Sequence, residues 1–597
     1  MPPPSPVRYA ITPRNPDAHI FEVSCTVADP DAEGQRFALP AWIPGSYLIR
    51  EFARHVVAIS ARANGQTVPL RKLDKHTWQA PPVSGALTVT MEVYAWDLSV
   101  RGAHLDRSHG FFNGPAVFLR ALGREERPCL VDIRPPEGEA HGPWQVATTL
   151  PVARGSRGAA RPWGFGLYRA ADYDELIDHP VEMGRFARAS FRAGGVPHDI
   201  VITGRQDCDL VRLTRDLKRI CQWHMGLFGG PAPMERYLFL VTAVGEGYGG
   251  LEHRASTALL CSRDSLPAAG MDKPSEAYIG FLGLCSHEYF HTWNVKRIKP
   301  AAFIPYDLER ENYTQLLWAF EGFTSYYDDL ALVRSGVIEP QDYLDLLAKT
   351  ISNVWRTPGR LRQSLAESSF DAWIKYYRQD ENSPNAIVSY YVKGALVACA
   401  LDLLLRSETR GRASLDQVMQ RLWREHGMTG RGVEEDDIRR IAEEVGGLRL
   451  ARFFREAVHG TSDLPMERLL ARFGVTLKRQ AADKTPSLGV RTKAEGADLK
   501  LITVFDQGPA QQAGLAAGDV LVAVDGLRVA AGNLDKLLAR RRAGDRVTLH
   551  AFRRDELLVT EALLAPAPAH ECKLTAADKP TAAVRKLRDA WLLGHHS

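Results

Sequence analysis

The sequence predicts a multidomain α+β chain: a β-sandwich first, a mostly helical middle, and a second β-rich module near the end. Three observations predict this. The chain has 597 residues, more than one hydrophobic core holds, since cores stop growing near ~250–300 residues. Apolar residues alternate with polar ones in the first segments but follow a helical period in the middle. Strand signals punctuated by glycine return towards the end.

Residues 1–155 read as short strands. Ile20–Val27 and Leu87–Tyr94 alternate apolar and polar side chains, and Pro and Gly clusters separate such runs. Gly155 to Pro162 is a Gly/Ala/Arg-rich junction. The stretch that follows mixes strand and helix signals and holds one apolar strand, Tyr237–Thr242. From Pro274 the pattern turns helical, with stripes such as Leu396, Ala400, Leu403 and Leu404. A final helical pattern carries Val584, Leu587 and Trp591 on one face, which predicts a tail packed on another domain. The expected boundaries are 1–155, 156–465, 466–568 and 569–597.

Charge and composition exclude some functions. The 75 basic and 71 acidic residues leave a net charge of +4, so no single sign dominates and nucleic acid is not the expected partner. No apolar run reaches the ~18–20 residues that span a bilayer. The start, Met1 through Pro6, is proline-rich and lacks the apolar core of a signal peptide. The eight cysteines are scattered without a C-x-x-C pair, as expected of reduced thiols. These readings together predict a cytoplasmic protein.

The chemistry is carried by His287-Glu-Tyr-Phe-His291, an H-E-x-x-H motif in a helical context. Asp272 or Ser275 can cap that helix, and Pro300 ends the run. At i and i+4 both imidazoles point the same way and reach one ion. Glu288 lies beside the first of them, able to reach a water on the ion. Random order would produce the motif roughly 0.03 times in a chain of this composition. Two imidazoles and one carboxylate leave a position open, the catalytic arrangement of Zn²⁺, and one ion per chain is expected. The third ligand should be an acid on a following helix. Glu321 is a lone carboxylate inside the apolar run Trp318–Tyr327, where it needs a partner such as a cation. Glu309 and Glu311 compete, although Asp307–Asn312 is uniformly polar and reads as a solvated stretch.

Longer motifs carry a resemblance. Ser286–Pro300, Pro40–Arg50, Tyr173–Gly184 and Trp318–Tyr327 together resemble the glycyl aminopeptidase family, zinc metallopeptidases that bear a PDZ domain. The resemblance spans nearly the whole chain. It implies a thermolysin-like, mostly helical catalytic domain of gluzincin type, and Glu321 as the third ligand. In the larger zinc aminopeptidases the Glu ligand follows the second His more closely; here Glu321 lies thirty positions after His291. Gly247–His253 resembles the edge strand that lines the substrate cleft in those relatives. By that comparison Gly249 and Gly250 flank the substrate and Glu252 binds its free α-amine. Ser389–Gly394 resembles the segment in which a Tyr followed by x-Lys-Gly donates to the tetrahedral intermediate. Tyr391 has that spacing, and Tyr390 is its neighbour. Ser487–Val490, Gly508–Asp519 and Val524–Gly526 resemble a bacterial PDZ domain, whose first loop binds a peptide C-terminus through backbone N–H groups.

The resemblance implies metal-assisted hydrolysis of the N-terminal bond of peptides with a free amine, with small first residues such as Gly or Ala preferred. Glu288 is the expected general base and Tyr391 the oxyanion donor. Two rivals remain at this point: an endopeptidase using the same centre, and a PDZ peptide-binding scaffold with a vestigial site.

Overall fold

The computed structural model describes residues 5–138 and 142–594. Met1 to Pro4, part of the proline-rich start, and the last three residues of the expected tail lie outside them. The chain forms two compact units, one of residues 1–312, 335–338 and 422–433, the other of 313–334, 339–421 and 434–597.

The first unit opens with a seven-stranded sheet. Its order is Gly166–Ala170, Cys129–Ile133, Val7–Asn15, Ile20–Val27, Leu87–Tyr94, Val56–Ala63, Gln66–Val68. Ile20–Val27 and Leu87–Tyr94 form as the alternation predicts, antiparallel partners from Ile20↔Tyr94 to Val27↔Leu87. Every second side chain of each is buried. Two four-stranded sheets complete this β-rich region. The region extends beyond the expected boundary at residue 155. Gly166–Ala170 pairs with Cys129–Ile133, and Val181–Gly184 pairs with His109–Phe112. The Gly/Ala/Arg-rich junction is therefore a loop inside the region: glycine signals a turn, and strand pairing decides where a sheet ends.

A five-stranded sheet follows, in the order Ala187–Ala193, Val196–Thr203, Tyr237–Val244, Ser256–Ser262, Tyr248–Glu252. Tyr237–Val244 runs between two parallel neighbours and is apolar nearly throughout, as a central parallel strand must be. The helices Leu210–Phe228 and Glu276–Phe290 also belong to this unit.

The second unit is helical up to about residue 471 and then returns to strands. Strand Val475–Gln480 pairs with Glu571–Ala576. Between the two lies a β-rich module whose core includes Leu488, Leu501, Leu521, Leu549 and Ala551. The last helix, Ala582–Leu592, packs within this unit: Trp591 is buried against Tyr343 and Phe473, and its Nε1 donates to the Tyr326 hydroxyl at 3.0 Å. Beneath it Arg406, itself buried, pairs with Asp402 and Asp416 and donates to the Ala590 carbonyl. Among the described residues no helix is long and apolar enough to cross a membrane.

Candidate active site

The motif helix starts where Ser275 caps it, the hydroxyl accepting from Tyr278 N–H at 3.1 Å. It spans Glu276–Phe290 and ends with His291 as its C-cap, well short of Pro300. The reason is the turn that follows. Val295 adopts φ +100°, where no helix continues. Its N–H donates to Ile298 O, and Lys296 N–H donates back to His291 O. That turn brings the Asn294 carbonyl to His291 Nδ1 at 2.7 Å. Nδ1 therefore carries the proton, and the Nε2 lone pair is left for a ligand. His291 Nε2 and His287 Nε2 lie 3.1 Å apart, a separation that suits two donors on one ion. Residues beside and between the two histidines hold the helix in place. Ser286 Oγ meets His224 Nε2 at 2.8 Å, and the Tyr289 ring packs on Tyr237 at 4.7 Å.

Strand Tyr248–Glu252 is the edge of its sheet and lies beside this helix. Gly249 and Gly250 pair with Leu260 and Leu259. Gly250 is required there: a Cβ would overlap Glu288 Oε1 and sit 2.5 Å from Glu288 Cδ. Glu252, Glu288 and His291 each offer a donor atom, all within 4.8 Å of one another, and all three residues are buried. Glu252 Oε1 has no hydrogen-bond partner among the described residues. Its carboxylate rests against Gly45, where φ is +99° and a Cβ would lie 2.6 Å from either oxygen. This gives the Pro40–Arg50 motif a physical role.

The structure adds residues that sequence reasoning missed. Arg101 Nη2 donates to the Gly250 carbonyl at 3.2 Å. Behind Glu252, Lys296 Nζ meets Asp178 Oδ1 at 2.6 Å. Burial would raise the Asp178 carboxyl, but Lys296, Arg254 and His253 hold it well below its ordinary value. Burial lowers His253. Arg101 lies in no sequence motif; Gly45 and Asp178 fall inside Pro40–Arg50 and Tyr173–Gly184, but their individual roles depend on partners far along the chain. The rival ligand Glu309 is exposed and pairs with Arg120. Its loop is less solvated than its polarity suggests: Asn312 is buried, and its Nδ2 donates to Asp307 O at 2.8 Å.

In the second unit Glu321 is buried at the break between helices Leu317–Phe320 and Gly322–Arg334. Tyr391 caps helix Val392–Glu408. These elements cross at two glycines: a Cβ on Gly322 would lie 2.5 Å from Gly394 C, and one on Gly394 would lie 2.8 Å from Trp318 O. The glycine of the Tyr-x-Lys-Gly segment thus sets how closely the Tyr391 helix approaches the Glu321 helix. Tyr391 OH lies 3.1 Å from Tyr377 OH. Tyr376 stacks on Tyr391 with ring centroids 5.6 Å apart. Burial raises the Tyr376 phenol, and the Glu321 charge adds to that rise while Ser389 opposes it. Tyr390 is wholly buried, whereas Tyr391 is partly exposed. Tyr376 and Tyr377 carry no motif and went unnoticed in the sequence. In the β-rich module the loop Ser487–Val490 borders a cavity of about 540 Å³, lined also by Arg491, Phe505, Leu534 and Leu538.

Residues 8–185 match the Peptidase M61 N-terminal domain, 280–397 the M61 glycyl aminopeptidase, and 486–564 a PDZ domain. A crystal structure of an aminopeptidase N family protein from Idiomarina loihiensis is 40% identical, with a TM-score of 0.93 over 98% of this chain and 100% of that one. An M1 zinc metallopeptidase from Deinococcus radiodurans is 15% identical, with a TM-score of 0.47 over 78% of this chain and 95% of that one. No curated protein matches the chain. The near-complete overlap with the first of these structures, together with the matched domains, makes the chain a metallopeptidase of the M61 glycyl aminopeptidase family that carries a PDZ domain.

Proposed function

We propose that this metallopeptidase holds one Zn²⁺ per chain through His287, His291 and Glu321, and removes single N-terminal residues, small ones such as Gly or Ala preferred. Two neutral imidazoles and a carboxylate suit that ion, and the His291 tautomer leaves the correct nitrogen for it. When bound, the ion supplies Lewis acidity to the scissile carbonyl. Glu288 takes a proton from the attacking water and returns it to the leaving amine. Tyr391, oriented by Tyr377, donates to the developing oxyanion. The substrate backbone lies along the edge strand, where Gly249 and Gly250 permit close approach. The glycyl aminopeptidase description of the matched family supports a preference for Gly, the smallest first residue. The PDZ groove takes the C-terminal carboxylate of a peptide on the N–H groups of the Ser487–Val490 loop.

The observation that carries the exopeptidase reading is Glu252: a buried carboxylate, one oxygen without a partner among the described residues, beside Glu288 and His291. An α-ammonium would satisfy it; an acetylated terminus would leave the charge uncompensated. A charged hydrogen bond of this kind is worth about 1.5–3 kcal/mol, roughly ten- to hundredfold. Glu252→Gln should lower kcat/KM for free-amine peptides by that factor and leave acetylated peptides nearly unchanged. A wild type that cuts both equally would establish the endopeptidase instead. The clustering of Glu252 with His291 also favours a second reading, in which Glu252 is the third metal ligand. Metal content decides: the first reading loses the ion in Glu321→Gln, the second in Glu252→Gln.

A further inference from the structure

Away from the active site, the first unit holds a second group of metal-binding side chains. Strands Ala103–Leu105 and His109–Phe112 form a hairpin, and its turn spells His104-Leu-Asp106-Arg-Ser-His109. His104, Asp106 and His109 each offer a donor atom, all within 4.8 Å of one another. His104 Nε2 faces Asp106 Oδ2 at 3.2 Å. Both histidines are buried, and His104 Nδ1 has no hydrogen-bond partner among the described residues.

The surrounding groups orient Asp106 and His109 as outer partners orient metal ligands. Asp106 Oδ1 accepts from Ser108 N–H, Ser108 Oγ and His109 N–H, and Oδ2 is the oxygen that faces His104 Nε2. His109 Nδ1 meets Glu182 Oε1 at 3.0 Å, and Thr203 Oγ1 donates to the same oxygen at 2.9 Å. A proton on His109 Nδ1 frees Nε2, the arrangement of a carboxylate–histidine–metal triad. Two cavities border the group. One of about 10 Å³, room for about one water or ion, is lined by His104, His109 and Glu182. The other, of about 610 Å³, touches His104, Asp106 and His109 from the open side.

We propose that His104, Asp106 and His109 form a second metal site, separate from the catalytic one, for a divalent transition ion of the zinc class. Two imidazoles and one carboxylate favour such an ion over Mg²⁺ or Ca²⁺, which take oxygen ligands. The site braces the substrate cleft from behind. Leu259, which pairs with Gly250, lines the small cavity, as does Val100, next to the Arg101 that holds the Gly250 carbonyl.

The test strips the full-length chain with a chelator, reloads it with Zn²⁺, desalts it and counts metal by elemental analysis. Wild type should retain about two equivalents, and His287→Gln about one. Asp106→Asn should also retain about one; Asp106 is only half-buried, so this variant should fold, and thermal melting checks that it does. His109→Gln gives a second, independent removal. In the His287→Gln background Zn²⁺ should raise the melting temperature, and adding Asp106→Asn should abolish that rise. The proposal is overturned if wild type holds one equivalent that vanishes in His287→Gln, or if a second equivalent survives both Asp106→Asn and His109→Gln. Loss of activity in Glu252→Gln or Glu321→Gln bears on the catalytic reading alone, so the two can fail separately.

Discussion

Gly250 shows how a residue without a side chain can fix the place of a neighbouring carboxylate, that of Glu288. A methyl group there would overlap the Glu288 carboxylate, and strand and helix cannot both keep their places. Gly250→Ala should keep its metal, since neither histidine moves directly, but lower kcat about a hundredfold, the scale expected of a 1 Å misplacement of a catalytic group. Elemental analysis beside steady-state kinetics checks both halves. Glu288→Gln should behave alike for a different reason: the carboxamide is well placed but cannot accept a proton. Gly45 makes the same kind of room for Glu252, so Gly45→Ala should act mainly on KM for free-amine peptides.

At the scale of elements, Gly322 and Gly394 set how closely the Glu321 and Tyr391 helices approach each other. Gly394→Ala inserts a methyl against Trp318 O and Gly322 Cα. Overpacking of this kind costs about 1–3 kcal/mol. The variant should melt earlier and turn over more slowly, and calorimetry and kinetics on one preparation would show whether the two losses travel together. The sequence made some of this legible and hid the rest. H-E-x-x-H is legible because its residues meet within one helical turn, and Ile20–Val27 because alternation is local. The motif helix stops earlier than the Pro300 signal predicts, because the positive φ at Val295 is a backbone property that no residue type there announces. Glu252 stood out only through a resemblance, since the partners that give it meaning, Gly45 and Glu288, come from distant parts of the chain.

Across the whole molecule, three buried histidines make the fold sensitive to acid. Burial lowers His179 and His198 to about 4 and His224 to about 3, so all three are neutral in the fold at pH 6. In the unfolded chain they protonate near 6.5. Their folded values are depressed, so the stability they contribute is fully present above pH 6.5 and drains as pH falls towards 4. Each histidine accounts for about 1.4 kcal/mol per pH unit in that window. Urea unfolding at pH 7, 6 and 5 should show the loss, and His224→Gln should flatten part of it. The PDZ module has a consequence of another kind. Its two connecting strands run side by side, Gln480 opposite Glu571, and Ser487 bridges Ala565 just above them. Truncation at residue 480 would remove Glu571–Ala576 and the Trp591 helix together, so circular dichroism should report loss of the helical part. Excising 481–570 and joining the ends by an Asn-Gly turn should leave that part folded. A module whose two ends emerge together can be gained or lost by a lineage in one recombination event, as a parenthesis is struck from a sentence that still reads on.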